Sequence, residues 1–316
     1  MKKVWLVGAS VMAQDYIKVL KALDVTLIVI GRGEENANIC AENMSCDVLS
    51  GGIDNFLSSQ PILCDAAIVA VGVEALFETT KKLLELGVKS ILVEKPGALS
   101  KDAFVILNAL AKEKDATVYI AYNRRFFASV LKAKEIIKQD GGVTSFNFEF
   151  TEWSHMIEGI EKAAGVKEKW FLANSTHVVD MAFYLGGLPQ EIQCYTAGSL
   201  AWHPSASNFS GAGVSETGAL FSYQANWESA GRWSVEILTK AHRLIFRPME
   251  KLQIQNRGAI AQEYDESIDY TLDEKYKPGL YLQTKYFLEN QVEALCSLEE
   301  QSNMMDIYYR IGNYER

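Results

Sequence analysis

The chain is short of positive charge: 31 Lys and Arg stand against 40 Asp and Glu, a net charge of −9. The basic footprint that neutralises phosphates is missing, which excludes a general nucleic-acid binder. Long apolar runs are missing as well, because Asp, Lys or Gly interrupts each candidate, so no membrane span is expected. Cysteine is scarce. Cys40, Cys46, Cys64, Cys194 and Cys296 are odd in number and lack metal-ligand spacing, so they read as reduced thiols with no metal site. Internal repeats and low-complexity linkers are absent, which removes solenoid and tethered architectures.

What remains is a 316-residue chain with 48% hydrophobic and 22% charged residues, an ordinary globular composition with room for two domains. The opening Met-Lys-Lys has the charge of a leader, but its apolar stretch is too short and reads as a strand. A cytoplasmic enzyme is expected. Strand-like runs at 4–7, 25–30, 66–71, 90–93 and 117–121 alternate with helical patterns, the order of a doubly wound parallel sheet over a first domain, 1–121. A second domain, 122–316, begins with a change of pattern. Phe146, Phe148 and Phe150 alternate with Ser145, Asn147 and Glu149, which marks an antiparallel strand with one covered face. Further strands are expected at 191–196, 219–227, 232–238 and 242–247, and a closing helix at 282–295.

Three stretches carry chemistry. In the first, strand 4–7 runs into Gly8-Ala9-Ser10-Val11-Met12-Ala13 and a helix, the position of a dinucleotide fingerprint. Gly8 would make the turn, Ser10 stands where a second glycine lets the backbone approach pyrophosphate, and Ala13 lets helix and strand pack. The next strand ends in Gly31-Arg32 with no carboxylate for a ribose 2′-hydroxyl, and Arg32 offers a donor fork for a 2′-phosphate, so NADP is preferred over NAD. Val71 and Gly72, at the tip of strand 66–71, complete the cofactor-facing edge.

In the second stretch, Glu94-Lys95-Pro96 ends an apolar strand and presents a lysine at the sheet edge where ligands bind, with Pro96 biasing Lys95 towards extended backbone. The third stretch is a helix from 176, on which Val178, Met181, Ala182 and Leu185 form a buried stripe and His177, Asp180 and Tyr184 share another face. With Asn174 and Ser175 as capping types, His177 would sit near the positive end of that helix, remain neutral and accept a proton. His155, His203 and His242 are expected in loops or at strand ends.

Together with Tyr122-Asn123-Arg124-Arg125-Phe126 and His177-Val178-Val179-Asp180, these motifs resemble the Gfo/Idh/MocA oxidoreductase family over essentially the whole chain. The resemblance implies an α/β fold, with an N-terminal Rossmann doubly wound parallel sheet and a C-terminal α/β domain built on an open, mainly antiparallel sheet. It also implies hydride transfer between nicotinamide and a carbinol or carbonyl carbon of a sugar, sugar derivative or nucleotide sugar. A homodimer or homotetramer would form through the C-terminal sheet. Lys95 and His177 become the catalytic pair. Glu94, Lys95 and Asn123 join Gly8, Ala9, Ser10, Met12, Ala13, Gly31, Arg32, Val71 and Gly72 around the cofactor. Tyr122, Arg124, Arg125, Asn174, His177, Asp180 and Tyr184 face substrate. One departure is visible: the family's acidic residue four positions before the histidine is Ala173 here. Two other activities follow from relatives, an NAD-dependent glycosidase and a sensing protein without chemistry.

Overall fold

In a computed structural model that describes residues 1–314, the chain divides into two compact units, residues 1–123 with 272–304, and residues 124–271 with 305–314. The first unit is built on β1 (Lys3–Val7), β2 (Thr26–Ile30), β3 (Val48–Leu49), β4 (Ala66–Val69), β5 (Ser90–Glu94) and β6 (Thr117–Ala121). Their order across the sheet is β3-β2-β1-β4-β5-β6, all parallel, with Cys296–Ser297 added antiparallel beside β6. β1 and β4 are the innermost strands and are buried almost throughout, which is why they read as unbroken apolar runs rather than alternating ones. The order reverses between β1 and β4, and in open α/β sheets the carboxyl ends of strands beside such a switch form a ligand crevice.

A cut between 121 and 122 misses the return of 272–304 to this unit. Two interactions anchor the return: helix Leu280–Glu289 packs on helix Val11–Ala22, and Cys296 pairs with Ile120. The single closing helix expected at 282–295 is instead two helices, Leu280–Glu289 and Leu298–Gly312, separated by that edge strand. The five cysteines are unbridged.

The second unit carries an eight-stranded sheet made of β7 (Ser145–Glu149), β8 (Pro189–Ala197), β9 (Asn208–Ser215), β10 (Leu220–Asn226), β11 (Ser234–Leu238), β12 (His242–Phe246), β13 (Gln253–Asn256) and β14 (Glu263–Tyr264). All neighbours are antiparallel except β7 and β10, which run parallel. Strand β9 escaped the sequence pattern because its Gly211 and Gly213 break the alternation; a Cβ at either would meet a carbonyl oxygen of β8, at 2.5 and 2.0 Å. Phe146 and Phe148 pack on helix Thr176–Gly186 through Phe183, while Phe150 packs on Phe171 just before that helix. That helix is buried on every side except at half-buried Tyr184, so it is a core helix rather than an amphipathic one. Among the described residues no helix is long and apolar enough to cross a membrane.

Candidate active site

On the first unit the switch point opens into a cleft of about 620 Å³ lined by Gly8, Ala9, Ser10, Arg32, Gly33, Asn36, Val71 and Gly72 among others. Gly8 adopts φ +138°, and a Cβ there would lie 2.2 Å from the Ala70 carbonyl oxygen, so only glycine lets β1 and β4 approach at this turn. The helix Val11–Ala22 starts directly after Ser10, whose side chain makes no capping hydrogen bond, so it claims none of the first-turn N–H groups. Those groups and the positive end of the helix suit a pyrophosphate, and the residues present fit a dinucleotide. Of the other expected cofactor residues, Ala13 is fully buried on the helix, Met12 is half-buried outside the cleft lining, and Gly31 is a packing residue: a Cβ there would sit 3.1 Å from the Cβ atoms of Ala9 and Ala37. Arg32 is exposed on the cleft wall.

Lys95 follows the last residue of β5 and is half-buried. Its neighbour Glu94 accepts a hydrogen bond from the Tyr16 hydroxyl at 2.8 Å, and Gln283 donates to Tyr16 at 3.2 Å. Burial raises the Glu94 carboxyl above its ordinary pKa, opposed by the Tyr16 hydrogen bond and the charges of Lys95 and Lys277. Burial and the adjacent Glu94 likewise hold Tyr16 well above a free phenol, so it stays a donor. Gln301 donates to the Pro96 carbonyl at 3.1 Å, which ties down the backbone on the far side of Lys95. Asn123 is buried and spends its amide on the Pro278 carbonyl at 2.8 Å, and Tyr122 is buried beside it in sequence.

On the second unit the expected substrate residues separate into two groups. Arg125 and Asp180 form a buried ion pair, with Nε donating to Oδ2 at 2.9 Å and Nη2 to Oδ1 at 2.5 Å. Tyr184 lies with its ring 4.7 Å from the Arg125 guanidinium and accepts from Lys134 at 2.6 Å. These charges neutralise one another inside the unit.

His177 belongs to a different cluster. It is 9% exposed, and its ring lies 6.5 Å from that of Trp233. The expected helix start at 176 gives way to a π-helical turn, Phe171–Ser175, that runs into Thr176–Gly186 without a break, and Ser175 has helical φ/ψ of −69° and −20°. The positive end of the helix therefore lies more than a turn before His177, and the dipole argument for its neutrality does not hold. Asn174 and Ser175 cap nothing; their side chains donate to one oxygen of Glu152, at 2.9 and 2.8 Å. Glu152 is 1% exposed, and Arg232 approaches its other oxygen at 3.5 Å.

Sequence reasoning missed Glu152, Arg232 and Trp233. A signal for Glu152 was present, since it continues the inward parity of Phe146, Phe148 and Phe150 as a charge on an apolar face. His203, expected in a loop or at a strand end, lies in the loop between β8 and β9 and is fully buried there: Nδ1–H donates to the Ala206 carbonyl at 2.7 Å and Nε2 accepts from Tyr314 at 2.8 Å. Burial brings its pKa down to about 4.

Residues 2–122 match the model of the GFO_IDH_MocA family, described as an oxidoreductase family with an NAD-binding Rossmann fold. The likeness to that family thus rests on these residues, the parallel-sheet part of the first unit. An uncharacterized oxidoreductase, YhhX of Escherichia coli (strain K12), is 31% identical over 127 residues, which is 40% of this chain and 36% of that protein. The match thus spans about a third of that relative's length. Among solved structures, levoglucosan dehydrogenase in complex with NADH and L-sorbose is similar at a TM-score of 0.78 and 17% identity, over 100% of this chain and 97% of that one. UDP-N-acetylglucosamine 3-dehydrogenase GnnA from Acidithiobacillus ferrooxidans is similar at 0.74 and 13%, over 98% and 96%. At these identities the likeness is one of fold. Ala173 is buried on the π-helical turn, and the carboxylate that accepts from its neighbours Asn174 and Ser175 is Glu152.

Proposed function

We propose that the chain is an NAD(P)-dependent oxidoreductase, with NADP preferred, that acts on a CH–OH or carbonyl carbon of a sugar, sugar derivative or nucleotide sugar. The observation that carries this reading is the cleft at the carboxyl ends of β1, β2 and β4. It combines a glycine turn, a helix start and Arg32 at the tip where a carboxylate would select NAD. A bound nicotinamide would accept or supply the hydride. Gly8, Ala9, Ser10, Val71 and Gly72 bind and orient the dinucleotide, and Arg32 pairs with the 2′-phosphate. Lys95 donates a hydrogen bond to the reacting oxygen, and His177 takes or returns its proton.

Glu152 holds Asn174 and Ser175, the two residues before Thr176 and His177, in place by direct hydrogen bonds. The lack of an acid at Ala173 therefore leaves the segment before His177 with a carboxylate partner, which favours an enzyme over a sensor without chemistry. The open face of the second sheet, where Glu149, Gln193, Tyr195 and Gln224 line a shallow groove, supports a homodimer or homotetramer. The test is nicotinamide absorbance on mixing the protein with NADP+ or NAD+ and a panel of neutral and acidic sugars and nucleotide sugars. Cofactor reduction by at least one of them is expected, and cofactor binding without reduction or reverse oxidation across the panel would defeat the reading.

A further inference from the structure

The adjacent arginines 124 and 125 have opposite fates. Arg125 is neutralised by Asp180 through two hydrogen bonds. No acceptor among the described residues lies within hydrogen-bond reach of the Arg124 side chain, and its Nε is inaccessible and unpartnered. The carboxylates around it, Glu250, Glu152 and Asp180, act only through space, and two of them are committed elsewhere, Asp180 to Arg125 and Glu152 to Asn174 and Ser175. Desolvation brings the Arg124 pKa down to about 10, helped by the neighbouring Arg232 charge and opposed by the charges of Glu250, Glu152 and Asp180.

A second guanidinium lies close by. Arg232 stacks 4.6 Å from both Trp153 and Trp233, and Arg124 lies 4.8 Å from Trp233, so one indole carries two cations. The Trp153 indole donates to the Gly231 carbonyl at 2.9 Å, which fixes the loop that presents Arg232. Arg232 keeps most of its donor capacity, since its one carboxylate contact, Glu152 at 3.5 Å, is at the limit of reach and its side chain is 45% exposed. The Trp233 Nε1 is buried without an acceptor. His177 contacts the same indole at 6.5 Å between ring centres. Planar forks preorganised on aromatic faces suit a carboxylate or phosphate, and an extra anion here would offset the cost of two cations sharing one site.

We propose that the second unit takes its substrate by an oxyanion, a carboxylate or a phosphate, held by Arg124 and Arg232 beside Trp233, so that an acidic sugar is chosen over its neutral counterpart. This rests on the sugar-oxidoreductase reading, and binding is measured separately from turnover so that the two fail separately. D-glucuronate, D-glucose 6-phosphate and D-glucose are titrated calorimetrically into the full chain with NADP+ present, against wild type, Arg232→Gln and Arg124→Gln. At least one anion should bind tenfold or more tightly than glucose, and either substitution should remove most of that advantage. Which anion wins tells carboxylate from phosphate. Arg232 is half-exposed, so if Arg124→Gln does not fold, Arg232→Gln decides alone.

Equal affinities, no measurable binding of any of the three, or an anion preference that survives Arg232→Gln would overturn the proposal. Turnover of a neutral sugar without anion preference would overturn it while leaving the oxidoreductase standing. Anion-selective binding lost in Arg232→Gln, with no hydride transfer to or from any sugar, would uphold the oxyanion site and overturn the oxidoreductase.

Discussion

The two units build their sites from different materials. The first uses backbone and the absence of side chains: a glycine that lets β1 meet β4, a helix start without a side-chain cap, and strand tips in a fixed order. The second uses charged and aromatic side chains drawn from four separated stretches, around Arg124, Glu152, Asn174 with His177, and Arg232 with Trp233. A backbone site tolerates many sequences but few geometries. A side-chain site is sensitive to single substitutions, and its buried charges make it a source of instability as well as chemistry.

The largest expected effect falls on a buried ion pair of the second unit. Asp180→Ala removes the carboxylate that accepts two hydrogen bonds from the buried Arg125 guanidinium, and unfolding should become easier by about 3–5 kcal/mol. Replacing both partners, Arg125→Met with Asp180→Leu, should recover most of the loss. Chemical denaturation followed through the tryptophans, five of the six of which lie in the second unit, reads both variants. A double variant as unstable as the single would show that the pair does more than neutralise itself.

Next in size is a pH effect from His203. Its pKa is about 4 in the fold against an ordinary 6.5, so the unfolded chain binds the proton more readily. Its contribution is fully present above about pH 6.5 and is lost as pH falls through about 4, a change of about 2–4 kcal/mol. Comparing denaturation of wild type and His203→Gln near pH 7 and near pH 4.5 should show a flatter dependence in the variant. Parallel curves would place the acid sensitivity elsewhere.

The smallest change sharpens the first unit. Arg32→Ala should weaken NADPH by about 1.5–3 kcal/mol while leaving NADH nearly unchanged, because only one of the two carries the charged group that Arg32 would meet. Fluorescence titration of both cofactors checks it, and a wild type that binds NADH as tightly would remove the NADP assignment.

The same contrast explains what the sequence made legible. The parallel strands and the turn at Gly8 follow from local apolar runs and one glycine, so they could be read in order along the chain. Lys95 could be placed because a strand end is a local property. The cluster beside His177 could not be assembled, because nothing local joins Glu152 to Asn174 or sets Arg232 against Trp233; those meetings depend on sheet register and helix packing. The helix start at 176 was misplaced because Asn174 and Ser175 are capping types whose side chains turn to Glu152 instead, while the backbone continues helical from Phe171. Arg125 and Asp180 carry the charges of a binding site, and only the fold shows them spent on each other.

The division of labour between a cofactor-holding unit and a side-chain site for the chemistry is tested most directly by one pair of variants measured two ways. Lys95→Ala and His177→Ala are each assayed for turnover with the best sugar from the panel and for NADPH affinity by direct titration. Turnover should fall by about 10² or more in each, as expected for a positioned acid or base, with NADPH affinity held within about threefold. Near-wild-type turnover in both variants, or a loss of NADPH affinity as large as the loss of rate, would contradict the account.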